Sequence, residues 1–190
     1  RGMRVFFEPS PGLPLVTITI ALRGGSMDEP AELSGLTRVM ARTMRRGAAG
    51  LDLTALEERI DRLGGEIAID ATLSQTVVVA EVIERNLVPF VELLGSVLGE
   101  PTFDAEEIDK QRREQAAEIV ESRDSDRTLA GRAFRRALFA EHPIGRRVSG
   151  SLATLDALRP EHVKRRYEQV FCRLGAHVAI SGQLTEAQAQ

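Results

Sequence analysis

The sequence predicts an α+β domain in which a mostly antiparallel sheet carries helices packed largely on one face. Three observations support this: strand-like alternation near both ends and in the middle of the 190 residues, long helical periodicities between, and a Gly, Pro or capping residue wherever the period changes. Residues 3–8 and 15–22 read as two strands, separated by the turn cluster Pro9-Ser10-Pro11-Gly12. Over residues 30–46 the pattern turns helical, because Leu33, Leu36, Met40, and Thr43 or Met44 recur every three to four positions. A second helix spans residues 52–63 and ends at Gly64-Gly65, where glycine permits the left-handed cap. Two strands follow at residues 66–71 and 75–82, joined as a hairpin through Thr72-Leu73-Ser74.

The chain then becomes mainly helical, over residues 86–98, 104–122, 127–141 and 160–170. Asp104 followed by Glu107 is a capping-box signature, and Pro160 suits the first position of its helix. A last strand at residues 176–181 precedes a polar tail, and no internal repeat or low-complexity segment interrupts the pattern.

Composition narrows the function classes. With 25 basic against 28 acidic residues and a net charge of −3, the chain lacks the electrostatic footprint of a nucleic-acid-binding protein. Acidic residues interleave with most of the runs Arg45-Arg46, Arg112-Arg113, Arg135-Arg136 and Arg165-Arg166, which read as solvated helix faces. A single cysteine, Cys172, excludes an internal disulfide and a cysteine-based zinc cluster; beside a strand pattern it reads as a small buried filler. His142, His162 and His177 are too scattered for a local metal motif, and His142 belongs to the turn before Pro143. No apolar run reaches the length of a membrane span, and Arg1-Gly2-Met3 does not open a signal region. A soluble chain is expected; the sequence leaves its compartment open, with the periplasm slightly favoured over the cytoplasm.

Five ordered segments carry a family resemblance: Leu13 through Ser26, closing in Gly24-Gly25-Ser26; Gly35-Leu36; Leu63-Gly64-Gly65-Glu66; Gln115-Ala116-Ala117-Glu118-Ile119; and His142-Pro143-Ile144-Gly145-Arg146. Together they resemble the N-terminal domain of a pitrilysin/insulinase-type zinc peptidase, the group that includes mitochondrial processing peptidase and the core proteins of the cytochrome bc complex. The resemblance implies a single N-terminal peptidase-like domain over residues 1–184, with residues 185–190 starting a linker to a second domain of similar fold. It further implies one quarter of a clam-shell made of two halves, each of two domains.

Active members carry His-x-x-Glu-His on the first helix, where residues at i and i+4 share a face and the Glu activates zinc-bound water. Laid onto this chain, the ligand positions fall on Arg38 and Arg42, the base position on Ala41, and the third ligand on Glu118. A guanidinium stays protonated and offers only donors, so neither arginine can ligate a metal, and one carboxylate cannot make a zinc site alone. No zinc is therefore expected, although active relatives use it. Without the resemblance, Arg38, Arg42, Arg45 and Arg46 would read as a solvated face; with it, a salt bridge from Glu118 to Arg38 or Arg42 is expected to fill the metal position.

The resemblance thus implies a non-catalytic subunit or half that pairs with an active zinc peptidase and handles extended peptide. Ile67, Ala68, Ile69, Asp70 and Ala71 are the candidate edge strand, since active relatives bind substrate by strand addition there. A structural scaffold that never touches peptide is the alternative. An active metallopeptidase in a shifted register is the third reading, and it is opposed by the lack of any histidine in residues 1–141.

Overall fold

Alternating burial along the strands gives the sheet one covered and one open face. The computed structural model describes residues 3–10, 12–171 and 175–185. In chain order the elements are β1 (Arg4–Pro9), β2 (Leu15–Arg23), α1 (Leu36–Met44), β3 (Gly47–Ala48), β4 (Leu51–Asp52), α2 (Leu53–Leu63), β5 (Gly65–Ala71) and β6 (Gln75–Ile83). They continue with α3 (Leu87–Gly99), α4 (Ala105–Glu121), α5 (Asp126–Phe139), α6 (Leu152–Asp156), α7 (Pro160–Phe171) and β7 (His177–Gly182).

The sheet order is β1-β7-β2-β6-β5, with β1 parallel to β7 and every other pair antiparallel. Ile18 lies opposite Ala80 on one side and Ile180 on the other, and Ile67 continues the row beyond Ala80. Val16, Ile18, Ile67, Ile69, Val78, Ala80, Val82 and Val178 therefore share the covered face, while Ala68, Asp70, Val79 and Glu81 lie on the open one. A one-residue slip of β5 would exchange its two sets, so burial of the isoleucines fixes the register. Met40 and Met44 of α1, Leu56 and Ile60 of α2, and Phe90 and Val97 of α3 complete the core. Phe90 packs so closely on the start of β5 that a Cβ at Gly65 would lie 2.3 Å from its ring.

Local chemistry explains most boundaries. Asp52 accepts from the Ala55 N–H at 2.8 Å to start α2, Gly64 closes it at φ 65°, and Pro160 opens α7. Two expectations need correction, and three short elements were not foreseen. The helix expected over residues 30–46 starts only at Leu36, preceded by two short 3-10 turns, because Gly35 takes φ 100° and breaks the helical path. The Asp104 capping box is half formed: Asp104 accepts from the Glu106 and Glu107 N–H groups, but the buried Oε2 of Glu107 has no hydrogen-bond partner. The β3–β4 ribbon and α6, of two, two and five residues, are too short to register as a period. The expectations for Cys172 and for residues 186–190 lie outside the described residues.

Candidate functional site

Helix α1 starts without a side-chain cap, because its N-cap is Gly35. Its orphan N–H groups are satisfied instead from the preceding loop: the Glu29 carboxylate accepts from Gly35 N at 2.8 Å and from Thr37 N. Glu29 is buried, and burial holds its pKa above the ordinary value despite hydrogen bonds from Thr37 and Gly35 and the nearby Arg166 charge. Arg166 is 5% exposed, which corrects its reading as part of a solvated run. Its Nε donates to Thr37 Oγ1 at 2.9 Å and its Nη2 to the Gly25 carbonyl at 2.8 Å, so a planar fork with fixed donors ties α7 to α1. From α4, the fully buried Gln115 donates through Nε2 to the carbonyls of Gly35 at 3.2 Å and Ser149 at 3.0 Å. The helix carrying the candidate site is thus anchored from three directions.

One turn on, the outward face of α1 meets α4. Arg38 Nη1 lies 2.9 Å from Glu118 Oε2, and Arg42 Nη1 lies 2.7 Å from Glu118 Oε1. The i, i+4 spacing that would aim two imidazoles at one ion here aims two guanidiniums at one carboxylate, one per oxygen. Partial burial pushes the Glu118 pKa up, but the Arg42 hydrogen bond and the two positive charges outweigh it and hold the group below the ordinary carboxylate range. Ala41, between the arginines in sequence, is fully buried in the core and offers no acid or base. Arg45 and Arg46 extend the pattern, at 2.7 Å from Glu57 and 3.8 Å from Glu114, so these arginines face carboxylates rather than bare solvent.

Zinc does not fit this set. Both Glu118 oxygens are engaged, and the two positions beside it present donors without lone pairs. Among the described residues no group of three or more His, Cys, Asp or Glu could hold a metal ion. His142 Nδ1 accepts from Ile144 N at 3.2 Å inside its own turn, and His162 Nδ1 accepts from Arg159 N at 3.2 Å.

Beside the arginines runs β5, the last strand of the sheet order, paired among the described residues only with β6. Thr72 N donates to Gln75 O at 2.8 Å, and antiparallel alternation from that pair turns the amides of Asp70, Ala68 and Glu66 toward β6 and those of Ile67, Ile69 and Ala71 outward. The outward Ala71 N–H is taken by Asp70 Oδ1 at 2.8 Å, and Asp70 also lies 3.7 Å from Arg38 Nε. A groove of about 460 Å³ joins the two features, lined by Arg42, Arg45, Ala68, Ile69, Asp70 and Glu118 among others. Of the residues singled out from the sequence, Ala41 and the side chains of Ile67, Ile69 and Ala71 are buried in the core instead.

Sequence reasoning missed Glu29 and Arg166. A helix opening on glycine signals that some acceptor must come from elsewhere, but nothing local says that it is Glu29 or that Arg166 sits beside it.

The family model described as Insulinase (Peptidase family M16) matches residues 4–151. An uncharacterized zinc protease of Streptomyces coelicolor is 24% identical over 181 residues, covering 95% of this chain and 39% of that protein. The mitochondrial-processing peptidase subunit beta of Blastocladiella emersonii is 25% identical over 161 residues, covering 83% of this chain and 34% of that protein. The crystal structure of the peptidase M16 inactive domain from Pseudomonas fluorescens matches in fold with a TM-score of 0.93 at 19% identity, over 99% of this chain and 46% of that one. The chain spans less than half the length of these relatives.

Proposed function

The chain belongs to the insulinase family of peptidases, family M16, and from that premise we propose a non-catalytic subunit or half that pairs with a zinc-bearing peptidase and helps enclose and hold its peptide. The observation that carries this reading is the clamp of Arg38 and Arg42 on Glu118, which occupies with a salt bridge the place where active relatives are expected to hold metal. The likeness in fold to a domain titled inactive supports it. Peptide holding rests on the unpaired outer edge of β5, whose Ile67 and Ile69 amides can take a further strand along the groove. A scaffold that handles no peptide is the second reading, favoured by the capture of the outward Ala71 amide by Asp70.

The test is cleavage of a fluorogenic unfolded peptide by the full-length protein alone, by a zinc-bearing family member alone, and by the two mixed. The proposal expects no turnover by this chain alone and at least tenfold more in the mixture than with the zinc-bearing chain alone. Turnover by this chain alone would overturn it. An extended labelled peptide that binds the chain separates the holder from the scaffold.

A further inference from the structure

Helix α5 takes no part in the site, and among the described residues the turn at Pro143–Gly145 packs on it near Phe139 while the rest of its surface stays open. All fourteen of its residues are exposed, with Phe134 at 68% and Leu138 at 60%. An isolated helix of this length is marginal in water, and most helices in proteins are held by packing of an apolar face. That face exists here: Ala130, Ala133, Phe134, Ala137 and Leu138 recur at three- and four-residue spacing and form one stripe.

The charge around the stripe is one-sided. The helix carries Arg127, Arg132, Arg135 and Arg136 against Asp126 alone, a net charge of +3 in a chain whose total is −3. Among the described residues none of these four arginines lies within ion-pair distance of a carboxylate. Next to them, burial and the like charges of Arg132 and Arg123 hold the Arg147 guanidinium below its ordinary range, while its Nη2 donates to Ser122 Oγ at 3.0 Å.

We propose that the stripe of α5, rimmed by its arginines, docks the companion zinc-bearing half through a surface apolar at its centre and rich in carboxylates around it. This rests on the pairing argued above. A second copy docking through the same helix would set +3 against +3, and a lipid surface would gain little from a stripe that is three-fifths alanine. Alanines instead allow a partner helix to approach closely, with Phe134 and Leu138 as anchors and the arginines pairing around them.

The experiment places a benzophenone amino acid at Phe134 of the full-length chain, with the same residue at Val88 of α3, which is 71% exposed, as control. Each is irradiated with the zinc-bearing companion, with the chain alone, and with anionic phosphatidylserine vesicles. The expected result is an adduct from position 134 and not from 88, on an acidic segment of the companion. The double variant Arg135→Glu, Arg136→Glu should lower the association rate at least tenfold at low salt, with the difference shrinking as salt is raised. An adduct only on a second copy, on lipid or within the full-length chain itself overturns the proposal. Co-elution of the two chains without an adduct at 134 also overturns the surface and leaves the pairing intact, whereas chains that never co-elute overturn both.

Discussion

At the scale of single residues, the site is a charge arrangement in which two guanidiniums share one carboxylate. Gly35 shows how tightly it is set: φ is 100°, and a Cβ there would lie 2.9 Å from Ser149 O and 3.0 Å from Gln115 Nε2. Gly35→Ala should therefore cost about 2 kcal/mol, read as a lower urea midpoint. The two shifted carboxylates pull stability in opposite directions with pH. Glu29 is raised in the folded state, so its contribution is complete below its ordinary value of 4.5 and is lost as pH rises through the folded pKa. Glu118 is lowered, so its contribution is complete above 4.5 and is lost as pH falls through the folded pKa. Glu29→Gln should flatten the stability profile above pH 4.5 and Glu118→Gln the profile below it; a Glu29→Gln profile that runs parallel to wild type above that pH would contradict the assignment. The unsuitability of Arg38, Ala41 and Arg42 for zinc was legible in the sequence, since it depends on residue type alone. Glu29 and Arg166 were not legible, because they meet Thr37 from eight residues upstream and from 129 residues downstream.

At the scale of elements, legibility followed length and period. The alternation in β2, β5 and β6 and the three- to four-residue spacing in α2, α3, α4 and α7 predicted those elements to within a few residues. The start of α1 was misplaced because Leu33 continues the apolar spacing, while the backbone obeys Gly35. Strand order was not legible: nothing in β5 alone says that it ends at a sheet edge, yet that placement gives the strand its proposed role. If β5 accepts peptide by strand addition, methylating alternate backbone nitrogens of an extended labelled peptide should weaken binding about tenfold, by removing hydrogen bonds worth about 1 kcal/mol each. Equal anisotropy titrations for methylated and unmethylated peptides would assign the strand a structural role only.

At the scale of the whole molecule, the sheet and the anchored α1 set Arg38 and Arg42 against Glu118 beside the groove. On the proposed reading, Arg38, Arg42 and Glu118 stand where active relatives hold two histidines and a glutamate. On that reading Arg38 and Arg42 are the two side chains that bar the metal and Ala41 is the missing base, so replacing the two arginines should restore binding alone. The most direct measurement is zinc bound per chain by equilibrium dialysis and elemental analysis, for the wild-type protein and for the double variant Arg38→His, Arg42→His. The account predicts no stoichiometric zinc in the wild type and one ion per chain in the variant, where two imidazoles join Glu118. One zinc per wild-type chain would contradict the non-catalytic reading, and a variant that folds but binds none would contradict the placement of Glu118 as the third ligand.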